Sequence, residues 1–183
     1  MKKKLPKPSI IVYKNRNEIP DNILIQCINL RNQANLFYHE FAINSRICEN
    51  VQLVDYYSFF TDKNQELYLL INGSIKEDNF STDFSDIKVI GLLEIYKSDT
   101  DTTRKTIYVQ SIFIDPNYRH LGYASKLVRK MYNENSGCQF SINVICNNET
   151  AINFWKEMGF TTPYSSVYYL NWDDYTSDPD EDE

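Results

Sequence analysis

The 183-residue sequence contains few of the residues that build metal and nucleophile sites. It has two histidines, His39 and His120, and four cysteines that form no Cys-x-x-Cys pair and lie at no metal-ligand spacing from a histidine. A histidine-based metal site and a Ser-His or Cys-His hydrolase therefore have little to draw on. We expect reduced, mostly buried thiols and no metal.

Long apolar runs are also missing. No run approaches the roughly 20 residues that span a bilayer, and the basic N terminus leads into no apolar stretch of the signal-peptide type. We therefore expect a soluble, cytoplasmic protein without a membrane-bound segment.

Acidic residues do not outnumber basic residues until the C terminus, where nearly all the net negative charge is concentrated. The net charge is -6, and residues 173–183 carry seven acids, whereas residues 1–8 carry four lysines. Terminal charge runs of this kind are commonly solvated, so nucleic-acid binding is not favoured. A 42% hydrophobic share is typical of a folded chain. We predict a basic tail over 1–8, one domain over 9–172 and a disordered acidic tail over 173–183.

Strand-like and helical patterns alternate along the domain. The pattern predicts strands at 9–14, 66–71, 88–96, 106–114, 138–146 and 164–172, and helices from Pro20-Asp21, within about 35–60, from the apolar face that starts at Leu121, and after Asn148. The strands from 66 to 114 are patterned as an antiparallel meander, and the helix at 125–135 makes a parallel crossover. The fold class is therefore α/β of the α+β type, with an open, mainly antiparallel mixed sheet.

One turn is well suited to binding a diphosphate. The strand at 106–114 passes into a helix through Arg119-x-x-Gly122-x-Ala124, and Gly122 is one of only five glycines. The first amides of a helix have no intrahelical acceptor and lie at its positive end, so they can bind an anion. A glycine lets phosphate oxygens approach the main chain, although for such a turn taken alone relief of helix-on-strand packing is the commoner reason for the glycine. The turn alone does not decide between the two.

A second motif supplies the context. Residues 148–160 read Asn-x-x-Ala-x-x-Phe-Trp-x-x-x-Gly-Phe and follow the first motif after one strand. Together the two motifs resemble the GNAT superfamily of N-acetyltransferases over about residues 88–170. The resemblance implies a GNAT-like sheet of about six to seven strands flanked by about four helices, and acetyl-CoA as the acetyl donor.

The resemblance also implies the cofactor site. Main-chain groups of Ile112 and Ile114 would pair with the pantetheine arm, and the sheet would open beside Ile112. The cofactor-binding residues that it implies are Ile112, Phe113, Ile114, Arg119, His120, Leu121, Gly122, Tyr123, Ala124, Ser125, Asn148 and Trp155.

The catalytic groups are less clearly marked. Glu94 lies mid-strand and could act as the base through water, or it could be an exposed strand residue. Many members have Tyr where this chain has Trp155, which cannot act as an acid and is interpreted as a packing residue. The remaining candidate acids are Tyr164, Tyr168 and Tyr169.

The acceptor half of the chain carries no recognisable motif. His39 is expected to be structural or near the acceptor entrance, and an aromatic cluster at residues 56–60 could wall the acceptor pocket or pack in the core. The expected activity is acetyl transfer to an amine of a protein, peptide or small molecule. A catalytically inactive coenzyme A-binding module, a protein or nucleic-acid interaction module and a homodimer are left open.

Overall fold

The computed structural model describes residues 8–44, 54–73, 76–77, 82–98, 105–144, 148–164 and 167–171. The predicted tails lie outside these ranges apart from Pro8, so the tails and the domain limits stay predictions.

A seven-stranded sheet forms the centre of the described structure. Its strands are β1 (Ser9–Tyr13), β2 (Gln65–Asn72), β5 (Lys88–Ser98), β6 (Thr106–Ile114), β7 (Gln139–Asn143), β8 (Thr161–Tyr164) and β9 (Val167–Asn171), in the order β1-β2-β5-β6-β7-β9-β8. Among the described strands of this sheet only β6 and β7 are parallel. A separate hairpin joins β3 (Lys76–Glu77) to β4 (Thr82–Asp83). The predicted fold class, a mainly antiparallel mixed sheet, is confirmed.

Three α-helices cover the two faces of the sheet within the described residues. α1 (Asp21–Asn44) packs on one face, and α2 (Tyr123–Glu134) and α3 (Glu149–Glu157) pack on the other. Alternate residues of β5 enter the two cores, since Leu92 is buried beneath α1 and Leu93 is buried beneath α2. The sheet is therefore covered on both faces.

The helix predicted within about 35–60 is wrong in part. Residues 35–44 belong to α1, because no glycine or proline interrupts the chain from Asp21 to Asn44, and residues 56–60 form turns. Residues 45–53 lie outside the described part. The pattern also missed β8, whose Pro163 argues against a strand; the edge position of β8 tolerates a proline.

Leu121 was wrongly placed on the apolar face of the third predicted helix. The helix begins two residues later at Tyr123, and Leu121 is 58% exposed in the preceding turn. The buried face of α2 instead comprises Leu127, Val128, Met131 and Tyr132.

Candidate functional site

The sheet opens where β6 outruns its parallel neighbour. The β6–β7 pairing ends at Val109 and Ile142, whereas β6 continues for five more residues to Ile114. The pairing of β5 with β6 also shifts beside Glu94, so that Gln110 is an extra residue on β6. A bulge of this kind bends a strand. The predicted opening beside Ile112 is therefore present.

A cavity of about 860 Å³ occupies this opening. Its walls come from the free part of β6, the turn before α2, the end of β7, the α3 helix with its cap, and Phe37 and Tyr38 of α1. Among the residues predicted to bind the cofactor, those that line it are Ile112, Phe113, Ile114, Arg119, His120, Gly122, Tyr123, Ala124, Ser125, Asn148 and Trp155. Leu121 is not a wall residue. The structure thus brings the two sequence motifs together around one space.

The turn before α2 presents unpaired amides to the cavity. Gly122 is the N-cap, offers no side-chain cap, and accepts the first helical hydrogen bond from the Lys126 amide. By helix geometry, the amides of residues 123–125 have no intrahelical acceptor. Gly122 has φ 74° and His120 has φ 61°, so both adopt the left-handed conformation.

The role of Gly122 is conformational. It precedes the helix rather than lying in its first turn, and a Cβ added there would meet no atom within 4 Å. Relief of packing between helix and strand is therefore not the reason for this glycine. The glycine is explained instead by its positive φ and by the open space in front of the turn.

Two side chains, one from α1 and one from the turn before α2, donate hydrogen bonds to carbonyls on the free part of β6. The Tyr38 hydroxyl donates to the Ile112 carbonyl, and Arg119 Nε donates to the Ile114 carbonyl at 3.1 Å. The Arg119 guanidinium also lies 4.8 Å from the ring centre of Phe37 and 5.0 Å from that of Phe113. Arg119 thereby ties the turn to α1.

The α3 side of the cavity is built from a cap and a packed tryptophan. Asn148 is buried, and its Oδ1 accepts from the Ala151 amide at 3.1 Å, as the sequence predicts for a helix start. Trp155 is 2% exposed and contacts Phe154 and Phe160 edge to face, with centroids 4.9 and 5.0 Å away. These contacts support its interpretation as a packing residue.

Glu94 is not an exposed strand residue. Its side chain is 12% exposed on the α1 face, and its carboxylate lies 3.0 Å from Arg31 Nε. Burial raises the pKa of Glu94 above its usual range, and the adjacent Arg31 opposes that rise. Glu94 itself does not line the cavity, but Ser111, directly opposite it on β6, does.

Sequence reasoning missed three residues beside the opening: Arg31, Tyr38 and Ser111. The Ser111 side chain is buried, and its Oγ has no hydrogen-bond partner within the described structure although Ser111 lines the cavity. Buried polar atoms are normally satisfied, so an orphaned hydroxyl at a cavity wall favours a ligand there. The sequence does indicate that Arg31 and Tyr38 lie on one face of α1, because they are two helical turns apart.

Other predicted residues fall elsewhere. Phe59 and Phe60 are buried beneath α1, Tyr56 and Tyr57 are exposed, and none of the four lines the cavity. The side chains of His39, Tyr164, Tyr168 and Tyr169 lie outside the described part of the structure, so their predicted roles stay predictions.

The residues present fit a coenzyme A thioester. Free amides and a positive helix end suit a diphosphate, the open edge of β6 suits an extended amide-containing arm, and the orphaned Ser111 hydroxyl has room for a partner. Within the described ranges, no three His, Cys, Asp or Glu side chains are grouped to hold a metal ion. Nor does a described helix have the length and apolar character to cross a membrane.

Solved structures share this fold. NAA60 of Arabidopsis thaliana, in complex with a bisubstrate analogue, is 15% identical with a TM-score of 0.56, and the match covers 89% of this chain and 99% of that one. AtaTR bound with AcCoA is 14% identical with a TM-score of 0.55 over 91% and 94% of the two chains. A KacTA–DNA complex matches at 11% identity and a TM-score of 0.53 over 91% and 94%.

Sequence comparison identifies the family. No curated protein matches the chain. The model described as "Acetyltransferase (GNAT) family" matches residues 44–160, about two thirds of the sequence, and this range contains both motifs and most of the cavity wall. The chain belongs to the GNAT family of acetyltransferases.

Proposed function

We propose that the protein transfers an acetyl group from acetyl-CoA directly to an amine of a protein, peptide or small molecule. The observation that carries the proposal is the cavity, which joins the free amides before α2 to the unpaired part of β6. Bound acetyl-CoA would supply the activated acetyl group as a thioester. AtaTR was solved with AcCoA and NAA60 with a bisubstrate analogue, which supports this donor.

The proposed cofactor-binding residues divide the work by position. Amides from His120 to Ser125 bind the pyrophosphate at the positive end of α2, and Gly122 keeps the main chain accessible. Main-chain groups of Ile112 and Ile114 bind the pantetheine arm along the open edge. Each of the two carbonyls already accepts one side-chain hydrogen bond, from Tyr38 or Arg119, and has a second lone pair for a ligand amide.

We propose Glu94 as the base. Its carboxylate is held by Arg31 on the α1 face, next to Ser111 at the cavity wall. Because Glu94 does not line the cavity, it would reach an acceptor nitrogen through water, which is a common arrangement for general bases. Burial raises its pKa toward neutrality, which improves a carboxylate as a proton acceptor.

The test of cofactor binding is thermal unfolding with and without acetyl-CoA. A ligand that binds only the folded state stabilises it by about 2.7 kcal/mol at 100 times its Kd, so the midpoint must rise. Gly122→Glu should abolish the rise, because it places a carboxylate before the amides. Gly137→Glu is the matched control, since Gly137 also has a positive φ (79°) and open space but does not line the cavity.

The Gly122→Glu and Gly137→Glu variants carry the same backbone strain, so a difference between them in the acetyl-CoA-dependent rise reports loss of binding. A midpoint that does not rise in the wild type, or that rises equally in the Gly122→Glu variant, would contradict the proposed site. Release of free thiol from acetyl-CoA is then measured with hydroxylamine, a small amine that is neutral near neutral pH, and with alkylamines, polyamines and peptides with free N termini. The rate without protein is subtracted in each case, because hydroxylamine cleaves thioesters unaided. No acceptor-dependent release would contradict transfer.

A further inference from the structure

A proton donor for the leaving group is missing from the site as the sequence motif describes it. Transfer to an amine releases coenzyme A as a thiolate, and a thiolate departs more readily when it is protonated. Trp155, at the position where many family members have a tyrosine, carries only an indole N–H and is packed against Phe154 and Phe160. A side chain elsewhere in the cavity wall could fill this role.

Tyr38 holds the required position. It projects from α1 to the free part of β6, lines the cavity, and places its hydroxyl on the Ile112 carbonyl, next to the bulge at Gln110. The ring is fixed by edge-to-face contacts with Phe37 and Phe113, whose centroids lie 6.0 and 6.5 Å away. The hydroxyl therefore lies at the edge of the sheet opening and close to Ser111, whose side chain favours the phenolate and opposes the rise in the Tyr38 pKa that burial causes.

The charges around Tyr38 suit a group that gives and regains a proton. Burial raises its pKa, so the phenol is protonated throughout the neutral range. Arg31 and Arg119 act in the opposite direction and would stabilise the phenolate, whereas Glu94 disfavours it. Two guanidiniums and one carboxylate thus surround the hydroxyl.

We infer that Tyr38, from α1, protonates the departing coenzyme A thiolate in place of the tyrosine absent at position 155. The inference rests on the proposed function. The Tyr38 hydroxyl can rotate from the Ile112 carbonyl toward a sulfur bound in the opening and donate to it instead.

The step balances as follows. The bond from the acceptor nitrogen to the acetyl carbon forms, and the carbon–sulfur bond breaks with its electron pair remaining on sulfur. Tyr38 gives its proton to that sulfur, while Glu94 receives the proton lost by the nitrogen through water. Proton transfer from Glu94 to the Tyr38 phenolate through solvent restores both groups, and the products are the acetylated amine and coenzyme A.

The test compares binding of coenzyme A and desulfo-coenzyme A, which lacks the sulfur, by calorimetry at a pH of about 10, where a large fraction of the alkyl thiol is ionised. A phenol that donates to a thiolate should make coenzyme A bind about tenfold more tightly than the desulfo analogue in the wild type. In Tyr38→Phe the two affinities should converge, with the affinity for the desulfo analogue unchanged.

Two further measurements separate proton donation from packing. Tyr38→Phe keeps the ring contacts, and it should lower the kcat for hydroxylamine by about 100-fold while the KM for acetyl-CoA changes by less than about twofold. Tyr108→Phe is the matched control, since Tyr108 is an exposed tyrosine of β6 outside the cavity, and it should behave as the wild type.

The outcomes are distinct. If Tyr38→Phe still binds coenzyme A more tightly than desulfo-coenzyme A, or if it weakens the binding of both equally, the role of Tyr38 would be overturned. The proposed function would be unaffected by either result. Absence of binding of either ligand to the wild type would overturn the proposed function and the inference with it.

Discussion

Replacement of Glu94 by glutamine tests the base most directly. The amide keeps the shape and a hydrogen-bond acceptor for Arg31 but cannot take a proton. A positioned general base contributes about 10²- to 10⁴-fold to a rate, so turnover of acetyl-CoA with hydroxylamine should fall by about that factor. The KM for acetyl-CoA should change little, because Glu94 does not line the cavity.

Loss of an ion pair is a separate effect and needs its own control. The Glu94–Arg31 pair is mostly buried, but burial raises the pKa of Glu94 despite Arg31, so a neutral side chain is not disfavoured there and Glu94→Gln should change the free energy of unfolding by about 1 kcal/mol or less. Glu66 offers the match, because its carboxylate on β2 lies 2.6 Å from Lys97 Nζ and is 8% exposed. Glu66→Gln removes a mostly buried ion pair away from the cavity and should leave the rate unchanged. A rate for Glu94→Gln within about threefold of the Glu66→Gln rate would refute the base assignment.

The pH dependence supplies a second measurement on the same variant. The ratio of wild-type to Glu94→Gln rates cancels the protonation of hydroxylamine itself. Because burial raises the pKa of Glu94, this ratio should fall with decreasing pH at a midpoint above about 4.3, the ordinary glutamate value. A pKa that is raised on folding means that protonation of Glu94 favours the folded state, so the fall is not acid unfolding through this group. A ratio independent of pH would contradict the assignment.

Two substitutions test the scaffold of the site. Gly91→Ala places a Cβ 2.5 Å from Ile114 Cδ1, the end of a side chain that can move, so it should destabilise by about 1 kcal/mol or less in urea unfolding. It should nevertheless weaken acetyl-CoA binding, because Ile114 lines the cavity; unaltered binding would contradict this argument. Asn148→Ala removes the cap of α3 and should cost about 0.5–2 kcal/mol, measured in the same way, whereas Asn148→Asp should retain most of the stability; equal losses would show that the cap is not the cause.

Local patterns predicted the part of the molecule that binds through main-chain groups. The strand at 106–114 matches β6 residue for residue, and the glycine of the turn and the Asn148 cap are recognisable because each has a short-range physical reason. The two motifs lie within about 60 residues of each other, so the opening between β6 and β7 follows from the topology.

Residues brought together by tertiary packing were not predictable in the same way. Nothing local to Glu94 shows that Arg31, distant in sequence, turns a strand carboxylate into a buried pair. The helix containing Tyr38 was divided in the prediction, so the register that aims its hydroxyl at Ile112 was lost. The Gln110 bulge likewise has no glycine or proline to mark it.

The two left-handed residues in the turn before α2 have a kinetic consequence. His120 has a Cβ and still adopts φ 61°, a conformation that costs a non-glycine residue about 1 kcal/mol or more. Folding meets this cost, so the proposed ligand encounters amides that are already oriented and loses little further chain entropy on binding. Association should then be limited by collision with the turn rather than by its reorganisation, and relaxing the turn with His120→Gly should affect the association rate more than the fold.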